Sequence, residues 1–217
     1  MGDTSSLENC VFCREAKDPA YALEFLGPRW PYESRILFEL ETLFAIPGYG
    51  PQVFPYVLIV SKHHIRSLSQ ADRILRRDII SCLDMVLQAR DFQCSCLTLF
   101  EHAGCTTLSS CIEHFHLHVV SGQYDLDRDL PGAGRRIGIS SRERLSGVSE
   151  PYLLVGSYDG NSVISARVEE VRERDDQFFR RCLAKCLGEE DWDWRLGMNH
   201  ELMVRMMAAV RGGSSAD

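Results

Sequence analysis

Seven consecutive residues, His114-Phe115-His116-Leu117-His118-Val119-Val120, alternate imidazole and apolar side chains and close on two apolar residues. A period of two marks a half-buried strand, because successive side chains leave a strand on opposite sides. The pattern puts three imidazoles on one face and Phe115, Leu117 and Val119 on the other. One face is built for a core. The other gathers groups that titrate, ligate metals and attack electrophiles near neutral pH. A histidine-rich strand without a role is the bland alternative, but packing gives little reason to place three of the chain's seven histidines on one strand face.

The surroundings predict what such a strand pairs with. Residues 35–46 and 53–61 are β-rich runs around the turn cluster Pro47-Gly48-Tyr49-Gly50-Pro51 and read as a hairpin. Ser69, with Asp72 three residues on, opens a helix in which Ile74, Leu75, Ile79, Leu83, Val86 and Leu87 recur at helical spacing to about Ala89. Residues 97–101 and 114–120 read as the next two strands, joined by a loop of small residues at 103–110. The expected class is α+β, an antiparallel sheet of about five strands under a long covering helix. That core domain spans 1–121. Residues 122–150, rich in Gly, Arg, Asp and Ser, read as a linker or lid. A C-terminal α/β extension over 151–212 then packs on the core, with a hairpin around Asp159-Gly160-Asn161, helices near 176–186 and 199–210, and a disordered tail at 213–217.

Charge narrows the partners. The net charge is -7 and the arginines are scattered, so the basic stripe of a duplex-binding protein is missing, while a phosphate-bearing small molecule stays within reach of a few placed cations. The polar stretch 1–9 lacks the pattern of a signal peptide, and nowhere do 18 apolar residues run together, which predicts a cytoplasmic protein with no membrane partner. Nine cysteines, an odd number, fit reduced thiols better than a disulfide framework.

Cys10-Val11-Phe12-Cys13 is open to metal, redox and packing readings, and no thioredoxin-like pattern surrounds it. A catalytic metal on the histidine run itself needs further ligands downstream. Only His200 lies there, on a predicted helix, and the residues after the first pair are Leu117, His118 and Val119 rather than Asp and His.

The seven-residue run resembles the signature of the histidine-triad (HIT) superfamily, His-φ-His-φ-His-φ-φ with φ apolar, at every position. The resemblance implies an enzyme acting on a small-molecule nucleotide substrate, with the middle histidine, His116, attacking the α-phosphate to form a covalent nucleotidyl-histidine. A neutral imidazole is nucleophilic near pH 7, and such an intermediate splits one hard displacement into two easier ones. His118, facing the same way, can donate to phosphate oxygens or to the leaving group. The related transferase branch has Gln at that third position, so His118 favours a hydrolase for a phosphoramidate, a dinucleotide polyphosphate or a nucleotide ester. A nucleotidyltransferase or phosphorylase using the same intermediate, and a zinc-stabilised nucleotide-binding module without turnover, remain the alternatives. A homodimer is compatible with each of these.

Many members complete the Cys-x-x-Cys pair with a histidine ending an early strand and with the first triad histidine. By that resemblance Cys10, Cys13, His64 and His114 hold zinc, with His63 the neighbouring rival. Two thiolates and two imidazoles saturate a tetrahedral ion and leave no place for water, so the metal would be structural. Phe100-Glu101-His102-Ala103-Gly104 and Ser110-Cys111-Ile112-Glu113-His114 resemble a bacterial HIT-like branch, departing from it at Ala103, Ser109 and Ser110. This implies that Glu101 faces the nucleotide and that Ser109, Ser110 and Cys111 line a phosphate loop. Residues 177–181 and 192–195 are similar to that branch's C-terminal extension. They bring in Gln177 and Arg180, or Arg181, to close over the phosphates, against the alternative of an exposed arginine face.

Overall fold

The computed structural model describes residues 9–104, 112–130, 135–138, 148, 150–161, 165–170 and 177–212. Through these the chain forms helices α1 (Val11–Lys17) and α2 (Leu23–Leu26), strands β1 (Phe38–Glu39), β2 (Leu43–Pro47) and β3 (Tyr56–Ser61), and the long helix α3 (Arg73–Gln88). Strands β4 (Leu97–Ala103), β5 (His116–Ser121), β6 (Arg135–Gly138), β7 (Tyr152–Tyr158) and β8 (Ser165–Glu170) follow, then helices α4 (Phe178–Leu187) and α5 (His200–Arg211). The strands join one antiparallel sheet in the order β1-β2-β3-β5-β4-β7-β8-β6. The class is α+β.

The sheet is wider than the expected five strands because β7 pairs along the whole of β4, from Leu97↔Tyr158 to Ala103↔Tyr152. The C-terminal hairpin therefore extends the sheet instead of only packing beside it. The stretch read as a linker also takes part: β6 pairs with β8, and Leu126 and Leu130 are buried. The first apolar run folds back on itself, with Phe38 opposite Ala45, before β2 pairs with β3 across the Pro47–Pro51 turn cluster.

Both faces of the central strands are covered, which is why β2 and β3 are buried along their full length. On one face α3 lays down Leu75, Ile79, Cys82, Leu83 and Val86, and α5 adds Met203, Met206 and Met207, over Phe115, Leu117 and Val119. Burying each such side chain contributes about 1.5–3 kcal/mol. Helix α3 begins later than Ser69 suggests, because 68–70 is a short 3-10 turn and Asp72 is the cap, its carboxylate accepting from Leu75 N at 2.8 Å. On the opposite face α1 and α4 bring Phe12, Phe179 and Leu183 against Phe44, Tyr56, Leu58, Val60 and Phe100. Among the described residues no helix is long and apolar enough to cross a membrane.

Candidate functional site

His114 lies just before β5, where Phe115 N donates to Ile65 O at 2.7 Å and ties the approach to β5 beside the segment carrying His64. Helix α1 places its Cys10 cap and Cys13 against the same spot. Cys10 Sγ is 3.2 Å and Cys13 Sγ 3.5 Å from His114 Nδ1, and Cys13 Sγ is 3.3 Å from His64 Nδ1. One ligand atom from each of Cys10, Cys13, His64 and His114 fits within a mutual separation of 4.8 Å. Ligands of one tetrahedral zinc stand about 3.3–3.8 Å apart, given bonds of about 2.0–2.3 Å. On the far side of the ring, His114 Nε2 meets Ser61 O at 2.7 Å. That bond needs the hydrogen on Nε2 and turns the Nδ1 lone pair to the thiols. Burial lowers His114 to about 4, so it stays neutral, the form that ligates. Burial, with Cys10 adjacent, pushes the Cys13 thiol up to about 12, so its ionisation calls for a cation in this pair's midst. The donor set fits a four-ligand metal, whereas His63 falls outside the group.

The next two histidines face a different environment. In the register, His116 is opposite Val60, and His118 is flanked by Leu58 and Phe100. His116 Nδ1 is 2.7 Å from His114 O, which makes Nδ1 the protonated nitrogen and leaves the lone pair on Nε2. Phe12 packs edge-on to His114 at 5.6 Å and against His116 at 5.4 Å, so one side chain braces both rings. The His118 ring lies flat on Phe100, 4.6 Å between centroids at 9°, and 5.1 Å from the His116 ring. Its Nδ1 is 2.8 Å from the Tyr56 hydroxyl. Desolvation, then the charges of His116, His102 and Arg180, holds His118 well below the usual imidazole range, so it is neutral at pH 7.

His116 and His118 open on a cleft of about 470 Å³. Val11, Phe12, Tyr21, Phe25, Tyr49 and Trp194 give it largely apolar and aromatic walls. One wall is held by a buried ion pair: Arg35 grips Glu15 through two bonds of 2.8 Å, both side chains 2% exposed. The Arg35 guanidinium also lies 4.2 Å over the Tyr49 ring, and Tyr49 stacks on Trp194 at 5.8 Å. The pair thus fixes α1 and the turn after β2 in one frame.

The remaining predicted residues are distributed unevenly. Glu101 is a correction. It sits between Phe100 and His102, and the strand period that sends those two to the cleft sends Glu101 to the α3 face. There its carboxylate accepts from Leu68 N at 2.9 Å and the Tyr152 hydroxyl at 2.8 Å, and desolvation first of all raises it to about 8. Gln177 and Arg180 do line the cleft. Arg180, however, spends its donors on the carbonyls of Tyr49, Gly50 and Trp192 and on the Tyr56 hydroxyl, so it braces the wall instead of reaching for a phosphate. Gln177 Nε2 donates to Asp193 at 3.0 Å. Ser109, Ser110 and Cys111 lie outside the described residues.

Sequence reasoning gave no role to Tyr56, Phe100, His102 or the Glu15–Arg35 pair. His102 lines the cleft and accepts at Nε2 from Phe179 N, near the start of α4. The signal for Phe100 and His102 was present in the parity of β4, and for Tyr56 in the parity of β3. Nothing local pairs Glu15 with Arg35, twenty residues on.

No protein-family model matches the chain, and no curated protein does. Several solved structures are similar to it. A HIT family hydrolase from Clostridium thermocellum is 23% identical over 54% of this chain and 92% of its own, with a TM-score of 0.36. A hypothetical histidine triad nucleotide-binding protein from Sulfolobus tokodaii is 13% identical over 94% of this chain and 93% of its own, with a TM-score of 0.40. Yeast Ap4A phosphorylase is 12% identical over 88% of this chain and 79% of its own, also at 0.40.

Proposed function

We propose that the chain is a histidine-triad enzyme that transfers a nucleotidyl group through His116, most simply to water. The observation that carries this reading is the split of roles along the histidine run: His116 with its Nδ1 hydrogen bound to His114 O, beside a neutral His118, in one cleft. With Nδ1 protonated, Nε2 is the nucleophile. It attacks the α-phosphorus of a nucleoside 5′-phosphate derivative; the N–P bond forms as the bond to the leaving group breaks and that group departs with the electron pair. The positive charge that develops on the ring is met by the His114 carbonyl. His118 serves as a hydrogen-bond donor to the phosphoryl oxygens as their charge grows. Water then attacks the phosphorus, loses a proton to solvent, and returns His116 with its lone pair.

The aromatic walls suit the base of a small-molecule nucleotide rather than a long nucleic acid. The residues that would hold zinc are Cys10, Cys13, His64 and His114. With all four ligands from protein, the ion would supply no chemistry to substrate and would keep α1 and the approach to β5 together. Free thiols gathered for a metal suit a reducing, cytoplasmic setting.

The test is mass spectrometry of protein mixed with nucleoside 5′-phosphoramidates and dinucleoside polyphosphates, quenched without acid. A nucleotidyl adduct on His116 is expected, and its mass names the nucleotide. Turnover that survives His116→Ala would falsify the mechanism. Capture of the adduct by phosphate or a sugar phosphate in preference to water would replace the hydrolase with a transferase or phosphorylase.

A further inference from the structure

Tyr56 is fully buried, yet its hydroxyl sits between two polar groups, 2.8 Å from His118 Nδ1 and 3.2 Å from Arg180 Nη1. A guanidinium has donors only, so the contact with Arg180 makes the phenolic oxygen an acceptor. The hydroxyl hydrogen then has His118 Nδ1 as its acceptor. Were Nδ1 protonated instead, it and Arg180 would both donate to the same oxygen, and the hydroxyl hydrogen would be sealed in the interior with no acceptor among the described groups. We infer that Tyr56 and Arg180 are positioning residues that lock His118 in the Nε2–H tautomer, so that the C-terminal segment completes the active site.

The lock is built from three parts of the chain. Arg180, on α4, is pinned by Trp192 O at 2.9 Å and Tyr49 O at 3.2 Å and also donates to Gly50 O. Gly50 has φ +54, and a Cβ there would lie 2.6 Å from Gly197 O and 2.9 Å from Trp194 Cα, so only glycine lets the turn after β2 close on that loop. This close approach presents the carbonyls that aim the guanidinium. Phe100, flat against His118, holds the ring plane while Tyr56 holds its edge. The neighbouring histidines carry the opposite pattern or serve another partner: His116 is protonated at Nδ1, and His114 turns Nδ1 to the thiols. Alternate histidines therefore take alternate tautomers, each fixed by one neighbour. For His118 the outcome is a neutral N–H donor whose second nitrogen is shielded from the cleft.

The inference rests on the nucleotidyl-transfer reading for what the lock achieves, not for the lock itself. The experiment is a long-range proton–nitrogen correlation spectrum of full-length protein with 15N-labelled histidine at neutral pH. The wild type is expected to show His118 protonated at Nε2 and bare at Nδ1. In Tyr56→Phe the His118 signals should move toward a mixture of tautomers while those of His116 stay in place. Arg180→Lys, which keeps the charge and loses the fork, should fall between. With a nucleoside 5′-phosphoramidate as probe, kcat of Tyr56→Phe should drop about tenfold to hundredfold with KM nearly unchanged, the range for losing a partner that orients a working group. A wild-type spectrum with the hydrogen on Nδ1 of His118, or an unaltered His118 in folded Tyr56→Phe, overturns the inference. The wild-type spectrum decides the matter even if that variant fails to fold. Because it reads proton position and not turnover, its outcome is separate from that of the adduct experiment.

Discussion

On the histidine face of the sheet, His102, His116 and His118 line a cleft beside the candidate metal cluster of Cys10, Cys13, His64 and His114, and each of the three rings has a partner that assigns its hydrogen. On the α3 face, Glu101 of β4 is more deeply buried than these rings, and its carboxyl is hydrogen-bonded to Leu68 N and the Tyr152 hydroxyl inside a closed core. Glu101 is next to His102 on β4, and His116 and His118 are on β5, the strand paired with it. Burial shifts the ionisation of both, lowering His118 and raising Glu101. A perturbed titratable group marks a site only where it also opens on space for a ligand, and Glu101 shows how the same physics serves stability instead.

The contrast between the faces can be broken most sharply at His116. His116→Ala should lower turnover on the order of 10⁴-fold or more while leaving the melting temperature close to wild type, because it deletes the proposed nucleophile from a cleft wall and not a core contact. A variant that unfolds would mean that the histidine face is structural too.

The candidate metal cluster on the histidine face gives the second test. Chelation, or Cys13→Ser, should cost several kcal/mol in denaturant unfolding, a part of the roughly 10–16 kcal/mol that structural zinc contributes to small isolated fingers. Activity should fall with the folded fraction, and metal analysis should return one ion per chain. Equal stability with and without chelator would remove the metal from the account.

Glu101 gives a pH prediction confined to the α3 face. With a folded value of about 8 against an unfolded 4.5, the folded state binds more protons between those limits. Its contribution to stability is complete below the unfolded value and is lost as pH rises toward about 8. Glu101→Gln should flatten that decline, by on the order of 1–3 kcal/mol at the alkaline end, and leave kcat unchanged. A change in kcat with stability intact would return Glu101 to the active site. The smallest effect is expected for Asp72→Ala, which removes the cap of α3 and should cost about 1 kcal/mol in unfolding with no kinetic consequence.

The sequence was legible where its signals are local. The alternation over 114–120 specified a strand with imidazoles on one side, and β5 places His116 and His118 there. The helical spacing from Ile74 to Leu87 specified α3, and Asp159-Gly160-Asn161 marked the turn between β7 and β8. Glu101 shows the limit of motif matching. Its neighbours resembled a nucleotide-facing segment, but one step of strand parity put it on the other side of the sheet. The pairing of β7 with β4 was equally out of view, because nothing local says which edge a hairpin will extend.

By itself, then, the sequence determined the residue types of the site and the periodicities that face them inward or outward, since both are set within a few residues of chain. Only the tertiary structure decided which nitrogen of His114 and of His118 carries the hydrogen, whereas His116 takes its partner from His114 two residues back. That choice depends on partners far apart in the chain: Tyr56 and Arg180 for His118, and Cys10 and Ser61 for His114. A hydrogen bond acts over about 3 Å and is indifferent to sequence separation, so the roles of three histidines in one short motif are written by the fold around them.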